Sequence, residues 1–173
     1  MDRHAAGEGR EVSVRDLLMA AAGAVVPGGA TYRYWRLYVT ALNSSGTQIR
    51  INEVELRGSV GGADLTTSST PVFESTVLDN GEGTTYPGSN TVDGDATFSY
   101  WMSAAGFSPP HWVRFDLATA KTVAQVAINA SSSGSECPRD FKVQGSADGS
   151  SWTDVKSFTG VSAWTGWQAF NLT

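Results

Sequence analysis

The sequence predicts an all-β fold, a β-sandwich with a short helical arm in front of it. From residue 32 onward, short segments of alternating or continuous apolar residues follow one another at short intervals. Turn-forming residues separate these segments, and the chain holds 19 Gly against 6 Pro. Many short strands with turn signals between them are typical of a β-sandwich or barrel. Hydrophobic residues make up 40% of the chain, which is enough to fill a core.

The arm covers residues 1–31, and a helix is predicted to begin at Ser13. Ser13 can cap this helix, and Asp16 stands three residues on, as in a capping box. Apolar residues then fall on one helical face, at Val14, Leu17, Leu18, Ala21 and Val25. A Pro-Gly-Gly run at 27–29 ends the helix. We expect the arm to dock on another subunit, and the alternative is a helix that folds back on its own β-domain.

The first two strands are predicted to form a hairpin. Apolar residues of the first strand occupy every second position, at Trp35, Leu37 and Val39. A turn follows at residues 43–46, and residues 48–57 return. The apolar positions of this return strand change parity, from Ile49 and Ile51 to Val54 and Leu56. A bulge near Asn52 and Glu53 would place both sets on one face.

The remaining strands are predicted at short, even intervals within a single β-domain, residues 32–173. A Gly-rich link at 59–63 and a turn-rich loop at 80–90 interrupt them. No helix is predicted beyond the arm. The predicted strands cover residues 70–78, 111–117, 122–130, 140–145, 152–158 and 167–172.

Charge and composition exclude several classes of function. The net charge is −5 and no basic cluster occurs, so neither nucleic acid nor insertion into an anionic membrane is expected. The single cysteine, Cys137, can form neither an internal disulfide nor a zinc site. The apolar run at 17–26 follows residues of mixed charge, unlike a secretion signal. No catalytic motif is present, and we expect a protein that is not an enzyme.

Three segments from residue 90 onward resemble the discoidin family, also called the coagulation factor 5/8 type C or galactose-binding-like family. The first is NTVDGD at 90–95 with Tyr100 and Trp101, the second is HWVRFDL at 111–117, and the third is PRDFKVQ at 138–144 with SADGSSW at 146–152. The resemblance implies a galactose-binding-like jelly-roll β-sandwich that binds carbohydrate through loops at one end.

A fourth likeness is displaced in the chain. The family's closing strand pair is similar to YWRLYV at 34–39 and INEVEL at 51–56, which here come first. Two explanations stay open. Either the domain is circularly permuted, with the closing hairpin at 32–58 placed first, or residues 32–58 complete a neighbouring subunit.

The resemblance also implies a structural Ca²⁺ beside the binding face. Family members hold it with oxygen atoms of the Asp-Gly loop and with a Glu near the final strand, ligands that suit Ca²⁺. The matching residues here are Asn52 through its carbonyl, Glu53, Asp93, Asp95, and either Thr97 or Ser99. The alternative is an Asp-Gly turn capped by its own side chains, with Glu53 exposed.

The predicted ligand contacts are aromatic and polar residues in or beside the loops. A sugar needs an aromatic surface for its apolar face and a few fixed polar groups. The residues that meet this description are Tyr86, Asn90, Phe98, Tyr100, His111, Arg139 and Trp164, although His111 also suits a structural role. The four strand tryptophans are expected in the core, at Trp35, Trp101, Trp112 and Trp152.

We therefore expect a non-catalytic structural and binding protein of a virus particle, on a phage tail, collar or capsid surface. The strand pair at 34–58 is also similar to strand pairs of phage tail proteins, and the chain begins at Met1 without an export signal. Residues 1–31 would attach to other virion proteins within a homo-oligomer, and the head would face a cell-surface glycan. The alternatives are an extracellular bacterial carbohydrate-binding module or lectin, and a purely structural subunit whose sugar site has decayed.

Overall fold

The computed structural model describes residues 29–130 and 134–173, so the predicted arm helix lies outside the described residues. Within them the chain forms nine β-strands and one 3-10 helix, Gly88–Val92, and none of their helices is long and apolar enough to cross a membrane. The strands are β1 (Thr31–Leu42), β2 (Arg50–Arg57), β3 (Val72–Glu74), β4 (Trp101–Met102), β5 (His111–Thr122), β6 (Gln125–Ala130), β7 (Pro138–Ser146), β8 (Thr153–Phe158) and β9 (Trp167–Asn171).

Two antiparallel sheets pack against each other across one core. The five-stranded sheet has the order β3-β5-β1-β7-β8, and the four-stranded sheet has the order β4-β2-β6-β9. Along the central strand β1, Trp35, Leu37 and Val39 are buried, whereas the residues between them are half-buried on the outer face. This period of two confirms the predicted sandwich.

The predicted hairpin of the first two strands is wrong, because β1 and β2 lie in different sheets. β1 is hydrogen-bonded to β5 on one side and to β7 on the other. β2 lies between β4 and β6. A strand with both edges paired has no edge left for a third partner, so the chain crosses between the sheets through residues 43–49. Both strands pair within this chain, and an exchange of residues 32–58 between copies stays a prediction.

The predicted bulge in β2 is confirmed, and it lies at Asn52. Ile51 pairs with Ala130 of β6 and Glu53 pairs with Asn129, so one extra residue stands on the β2 side. The four apolar residues on the two sides of the bulge are all at most 2% exposed, at Ile49, Ile51, Val54 and Leu56. The bulge therefore reconciles the change of parity with a single buried face.

The core differs from the prediction in its tryptophans. Trp35 and Trp101 are fully buried, as expected. Trp112 and Trp152 are instead half-buried. Trp112 alternates along β5 with core residues and therefore points to the outer face, and the Trp152 ring stacks on an outer-face arginine. Trp164, predicted to contact a ligand, is 5% exposed and belongs to the core, where its indole N–H donates to the Pro138 carbonyl at 2.9 Å.

The strand bounds follow the prediction for most of the β-domain and depart from it in three places. The strand predicted at 70–78 shortens to β3, Val72–Glu74. The strand predicted at 111–117 extends to Thr122 as β5, and the strand predicted at 122–130 consequently begins at Gln125 as β6. β4, Trp101–Met102, was not predicted, because two residues are too few to show a period. The short β3 and β4 are edge strands, where few neighbours specify their length.

Candidate functional site

Loops gather at one end of the sandwich, where β1 ends and β2 begins. Leu42 of β1 pairs with Pro138 at the start of β7, and Asn129 of β6 pairs with Trp167 at the start of β9. The chain between β3 and β5 is the longest of these connections, and it holds most of the predicted ligand residues. Most of the predicted ligand residues therefore lie in the loops at this end of the sandwich.

Four residues lie together at this end. We call them the loop-end cluster: Arg50, Tyr86, Asn90 and Tyr100. The rings of Tyr86 and Tyr100 stack with centroids 4.8 Å apart and an interplanar angle of 12°. The Arg50 guanidinium lies 3.6 Å from the Tyr100 ring centroid. The Asn90 side-chain amide donates to the Tyr100 carbonyl at 2.9 Å. These contacts hold the two rings in a fixed orientation.

Tyr86 forms the outer layer of the loop-end cluster, because Tyr100 lies between it and Arg50. Tyr86 and Arg50 cannot occupy the same face of Tyr100 at these distances, so they cover its two faces. Burial raises the pKa of the Tyr100 hydroxyl, and a hydrogen bond with Tyr86 adds to this effect. The half-buried Tyr86 keeps its second face free of ring contacts within the part of the chain that the structure describes. A sugar ring stacks on such a surface.

The other predicted ligand residues do not join this cluster. His111 is 1% exposed and its Nε2 lies 2.8 Å from the Thr47 carbonyl, so it is a structural residue and its prediction as a ligand contact is wrong. Burial lowers the pKa of its imidazole. Trp164 is likewise a core residue. Phe98 is 83% exposed in the loop before β4, and the exposed Arg139 forms an ion pair with Asp140.

A concave surface, which we call the acidic cleft, lies on the outer face of the four-stranded sheet. It has a volume of about 250 Å³ and an open mouth. Four carboxylates line it together with the half-exposed indole of Trp167, namely those of Glu53, Glu55, Asp64 and Asp93. The predicted juxtaposition of Glu53 and Asp93 is therefore present. The bulge at Asn52 sets this geometry, because it fixes the direction of Glu53.

The carboxyl group of Glu53 is buried at the acidic cleft, and its pKa is strongly shifted. The residue is 5% exposed, its Oε1 accepts a hydrogen bond from the Gly94 N–H at 3.3 Å, and its Oε2 is buried without a hydrogen-bond partner. Burial raises the pKa of this carboxyl to about 7, and the nearby carboxylate of Asp93 adds to the increase. A buried oxygen without a donor is costly unless a proton or a cation satisfies it.

The Asp-Gly loop meets the calcium prediction only in part. Asp93 lines the acidic cleft, but Asp95 turns to its own loop, where its Oδ1 accepts from the N–H groups of Thr97 and Phe98 at 2.9 Å. Among the described residues no group of three or more His, Cys, Asp or Glu is placed to hold a metal ion. Asp93 Oδ1 likewise accepts from the Asp95 N–H at 2.8 Å, so both carboxylates of this loop are arranged as turn caps.

Two residues of these sites, Arg50 and Trp167, were not predicted from the sequence. Arg50 begins a strand whose apolar residues indicate the core, and no local signal links it to Tyr100, 50 residues away. Trp167 was predicted to lie in a strand, but the face on which its side chain lies was not predicted. The alternation along β9 places Trp167 on the outer face, because Phe170 packs against the core. The cross-sheet row of Trp167, Asn129 and Glu53 becomes visible only from the strand register.

The comparisons with known proteins gave one match, and it lies in the second half of the chain. Residues 90–173 match the family model of the NedA-like, galactose-binding domain. A search of curated proteins and a search of solved structures each gave no match. The matched segment contains β4 to β9, and the two-sheet fold is consistent with a galactose-binding-like β-sandwich. Residues 90–173 thus match the factor 5/8 type C family, the family that the sequence motifs resemble.

Proposed function

We propose that this protein is a non-catalytic carbohydrate-binding module that holds sugar at the loop-end cluster. The observation that carries this proposal is the stacked pair of Tyr86 and Tyr100, fixed by Arg50 at the end of a galactose-binding-like sandwich. The ring of Tyr86 would contact the apolar face of a sugar. The Asn90 amide and the Arg50 guanidinium hold the rings in place, which lowers the entropy cost of binding.

A glycan array with the full chain tests this proposal. We expect wild-type protein to bind galactose-type glycans, and Tyr86→Ala to weaken binding at least about tenfold because the stacking surface is lost. Tyr86→Phe is the matched control, since it keeps the ring and should retain most of the affinity. Equal binding by wild type and Tyr86→Ala would remove the loop-end cluster from the site, and an array without any bound glycan would overturn the proposal.

We further propose that Glu53 and Asp93 hold a Ca²⁺ ion in the acidic cleft. The buried, unpartnered Oε2 of Glu53 supports this, because a hard cation takes such oxygen ligands. The Asn52 carbonyl at the bulge was predicted to contribute, and Asp95 or Thr97 would need to leave their turn to do so. When bound, the ion would stabilise the junction between the bulge and the Asp-Gly loop.

Thermal unfolding with and without Ca²⁺ tests the cation site. A ligand that binds only the folded state raises the melting temperature with its concentration. We expect Ca²⁺ to raise the midpoint of the wild type and to have no effect on Glu53→Gln. Glu82→Gln, in an exposed loop, is the control and should respond as the wild type does. A midpoint that is independent of Ca²⁺ in the wild type would exclude the site.

The setting on a virus particle is a further proposal, supported by the similarity of the strand pair at 34–58 to those of phage tail proteins. Residues 1–31 would attach the protein to other virion proteins as a homo-oligomer. Size-exclusion chromatography with light scattering compares the full chain with residues 29–173. We expect the full chain to form oligomers and the shorter chain to be monomeric. A monomeric full chain would contradict this proposal and favour a free extracellular module or lectin.

A further inference from the structure

The outer face of the five-stranded sheet carries an unusual concentration of arginines and aromatic rings, and we call this surface the arginine face. Outward positions of β1 are Tyr34, Arg36 and Tyr38, which alternate with three core residues. Trp112 and Arg114 of β5 stand beside them, and Phe73 of β3 follows at the edge. The chain as a whole carries a net charge of −5, so this basic surface contrasts with the rest of the molecule.

Two arginines occupy the centre of the arginine face. Arg36 of β1 and Arg114 of β5 are direct register partners on adjacent strands. Like charges directly opposite each other destabilise a sheet. Burial is the main cause of the lowered pKa of Arg36; Tyr38 and Asp154 oppose this change, and the charge of Arg114 adds to it. Both groups nevertheless stay ionised, because an arginine is not deprotonated in proteins.

Neither arginine of this pair forms a salt bridge within the described residues, although carboxylates lie on the same face. Arg36 Nε donates to the Gln144 side-chain oxygen at 2.5 Å, and Arg114 Nη1 donates to the Gly149 carbonyl at 3.3 Å. Arg114 Nε is buried and has no hydrogen-bond partner. The nearby carboxylates are bound elsewhere, Asp116 by Arg33 and Asp154 by Lys142. The charges of Asp154 and Asp116 still act on Arg36 and Arg114, but neither arginine of the central pair forms a salt bridge with a carboxylate among the described residues.

Aromatic rings hold both guanidinium groups in place. The Arg36 Cζ lies 4.2 Å from the ring centroid of Trp152 and 4.7 Å from that of Tyr38. The Arg114 Cζ lies 4.2 Å from the ring centroid of Phe73. Stacking on a ring face leaves the N–H edges of a guanidinium as its hydrogen-bonding groups, and it reduces the freedom lost on binding. The pair is therefore preorganised for an oxyanion.

We propose that the arginine face is a second binding site, which takes a carboxylated sugar of the uronic acid class. A ligand carboxylate at Arg36 and Arg114 would supply the salt bridge that neither arginine forms among the described residues, with charge-assisted hydrogen bonds. Phe73, 46% exposed, and the half-buried Trp112 offer aromatic surface for the sugar ring beside it. The net negative charge opposes a long polyanion such as nucleic acid more strongly than a short uronic acid oligomer, because more of its charges would meet the acidic remainder of the chain.

Titration calorimetry of the full chain with a galacturonic acid hexamer tests this site, and the methyl-esterified hexamer is the matched uncharged ligand. We expect the acid to bind and the ester to bind at least about tenfold more weakly. Arg36→Gln and Arg114→Gln should each reduce affinity for the acid about tenfold or more. Lys121→Gln, which removes one positive charge from the exposed end of β5, should bind as the wild type does.

Further variants separate this site from the loop-end cluster and from a folding defect. Tyr86→Ala should leave the affinity for the uronate hexamer unchanged, whereas loss of uronate binding in Tyr86→Ala would place the sugar in the loops. Arg114→Lys preserves the charge and should still bind more weakly, because an ammonium cannot form the planar pair of hydrogen bonds. Equal binding of acid and ester, no binding by the wild type, or equally tight binding of a glutamate hexamer would each overturn the proposal.

Discussion

Gly145 shows how a single residue limits what this sheet can hold. It lies on the core side of β7, opposite Trp35 of β1, and a Cβ atom built there would overlap the ring of Tyr32. The Tyr32 ring cannot move easily, because it packs edge-on against Trp35 with centroids 5.6 Å apart. The Trp35 indole N–H also donates to the Tyr32 carbonyl at 3.0 Å. The glycine is therefore required by space rather than by its backbone angles.

We expect Gly145→Ala to lower the free energy of unfolding by about 2 kcal/mol, the usual range for an overpacked core. Chemical denaturation of the full chain measures this change. Gly58→Ala is the matched control, since the nearest atom to an added Cβ there is a carbonyl oxygen at 3.6 Å, an ordinary contact. Its stability should change by less than about 1 kcal/mol. Equal effects of the two substitutions would show that the Tyr32 ring does not fill the space beside Gly145.

Glu53 is predicted to make stability fall as the pH rises. Its pKa is about 7 in the folded protein, raised mainly by burial from an ordinary value of 4.5. Between these two values the folded state binds more protons than the unfolded state, so the free energy of unfolding decreases with increasing pH. The stabilising contribution is complete below pH 4.5 and is lost as the pH passes through about 7.

Denaturant unfolding at several pH values, in a chelator that removes Ca²⁺, measures this effect. We expect the wild type to lose at most about 3 kcal/mol across the window, the equivalent of the full shift. Glu53→Gln has no titrating group at this position, so its free energy of unfolding should decrease much less over the same pH window. A wild type and a Glu53→Gln variant with parallel pH profiles would show that this carboxyl titrates near its ordinary pKa.

At the scale of elements, the bulge in β2 connects the core to the acidic cleft. One extra residue at Asn52 allows Ile51 and Val54 to face the same core, and it places Glu53 beside the Asp-Gly loop. The Asn52 amide donates to the Ser99 carbonyl at 3.1 Å, which ties the bulge to the same loop. A regular strand would bury one of these apolar sets and expose the other.

Alanine substitution on both sides of the bulge tests this arrangement. Ile51→Ala and Leu56→Ala should each lower the free energy of unfolding by about 2–5 kcal/mol, because both side chains are at most 2% exposed. Glu55→Ala, at a half-buried position on the outer face of the same strand, should cost less than about 1 kcal/mol. If either Ile51→Ala or Leu56→Ala proved harmless in equilibrium denaturation, β2 would be a regular strand in solution.

The elements differ in how well the sequence predicts them, and the reason lies in the range of the interactions. The bulge follows from local apolar parity alone, and Glu53 beside Asp93 follows from the family resemblance. The partners of β1 and β2 do not, because a turn between two strands is compatible with pairing and with crossing between sheets. For the same reason Trp152, expected in the core, lies on the outer face, and Trp164, expected to contact a ligand, lies in the core. Loop residues are buried or exposed according to distant neighbours, and these leave no local period.

At the scale of the whole molecule, the family match and the folding unit do not coincide. The match covers residues 90–173, yet the strand order places β1 between β5 and β7 and places β2 between β4 and β6. Each sheet therefore takes a central strand from outside the matched segment. Without β1, the buried faces of β5 and β7 would lose their shared neighbour and its backbone hydrogen bonds.

The matched segment should therefore fail to fold alone, whereas residues 29–173 should fold. Removing β1 and β2 exposes unpaired backbone groups at the centre of both sheets and uncovers Trp101 and Phe115, which are fully buried in the intact sandwich. We expect residues 90–173 to show no cooperative thermal transition and poor dispersion of amide signals in NMR spectra. Residues 29–173 contain every described strand and should unfold in one transition. Adding residues 29–89 as a separate chain to residues 90–173 should restore folding if the central strands are what is missing. A cooperative, monomeric fold of residues 90–173 alone would show that the segment can pair β5 with β7 directly, and the central positions of β1 and β2 would then not be required for stability.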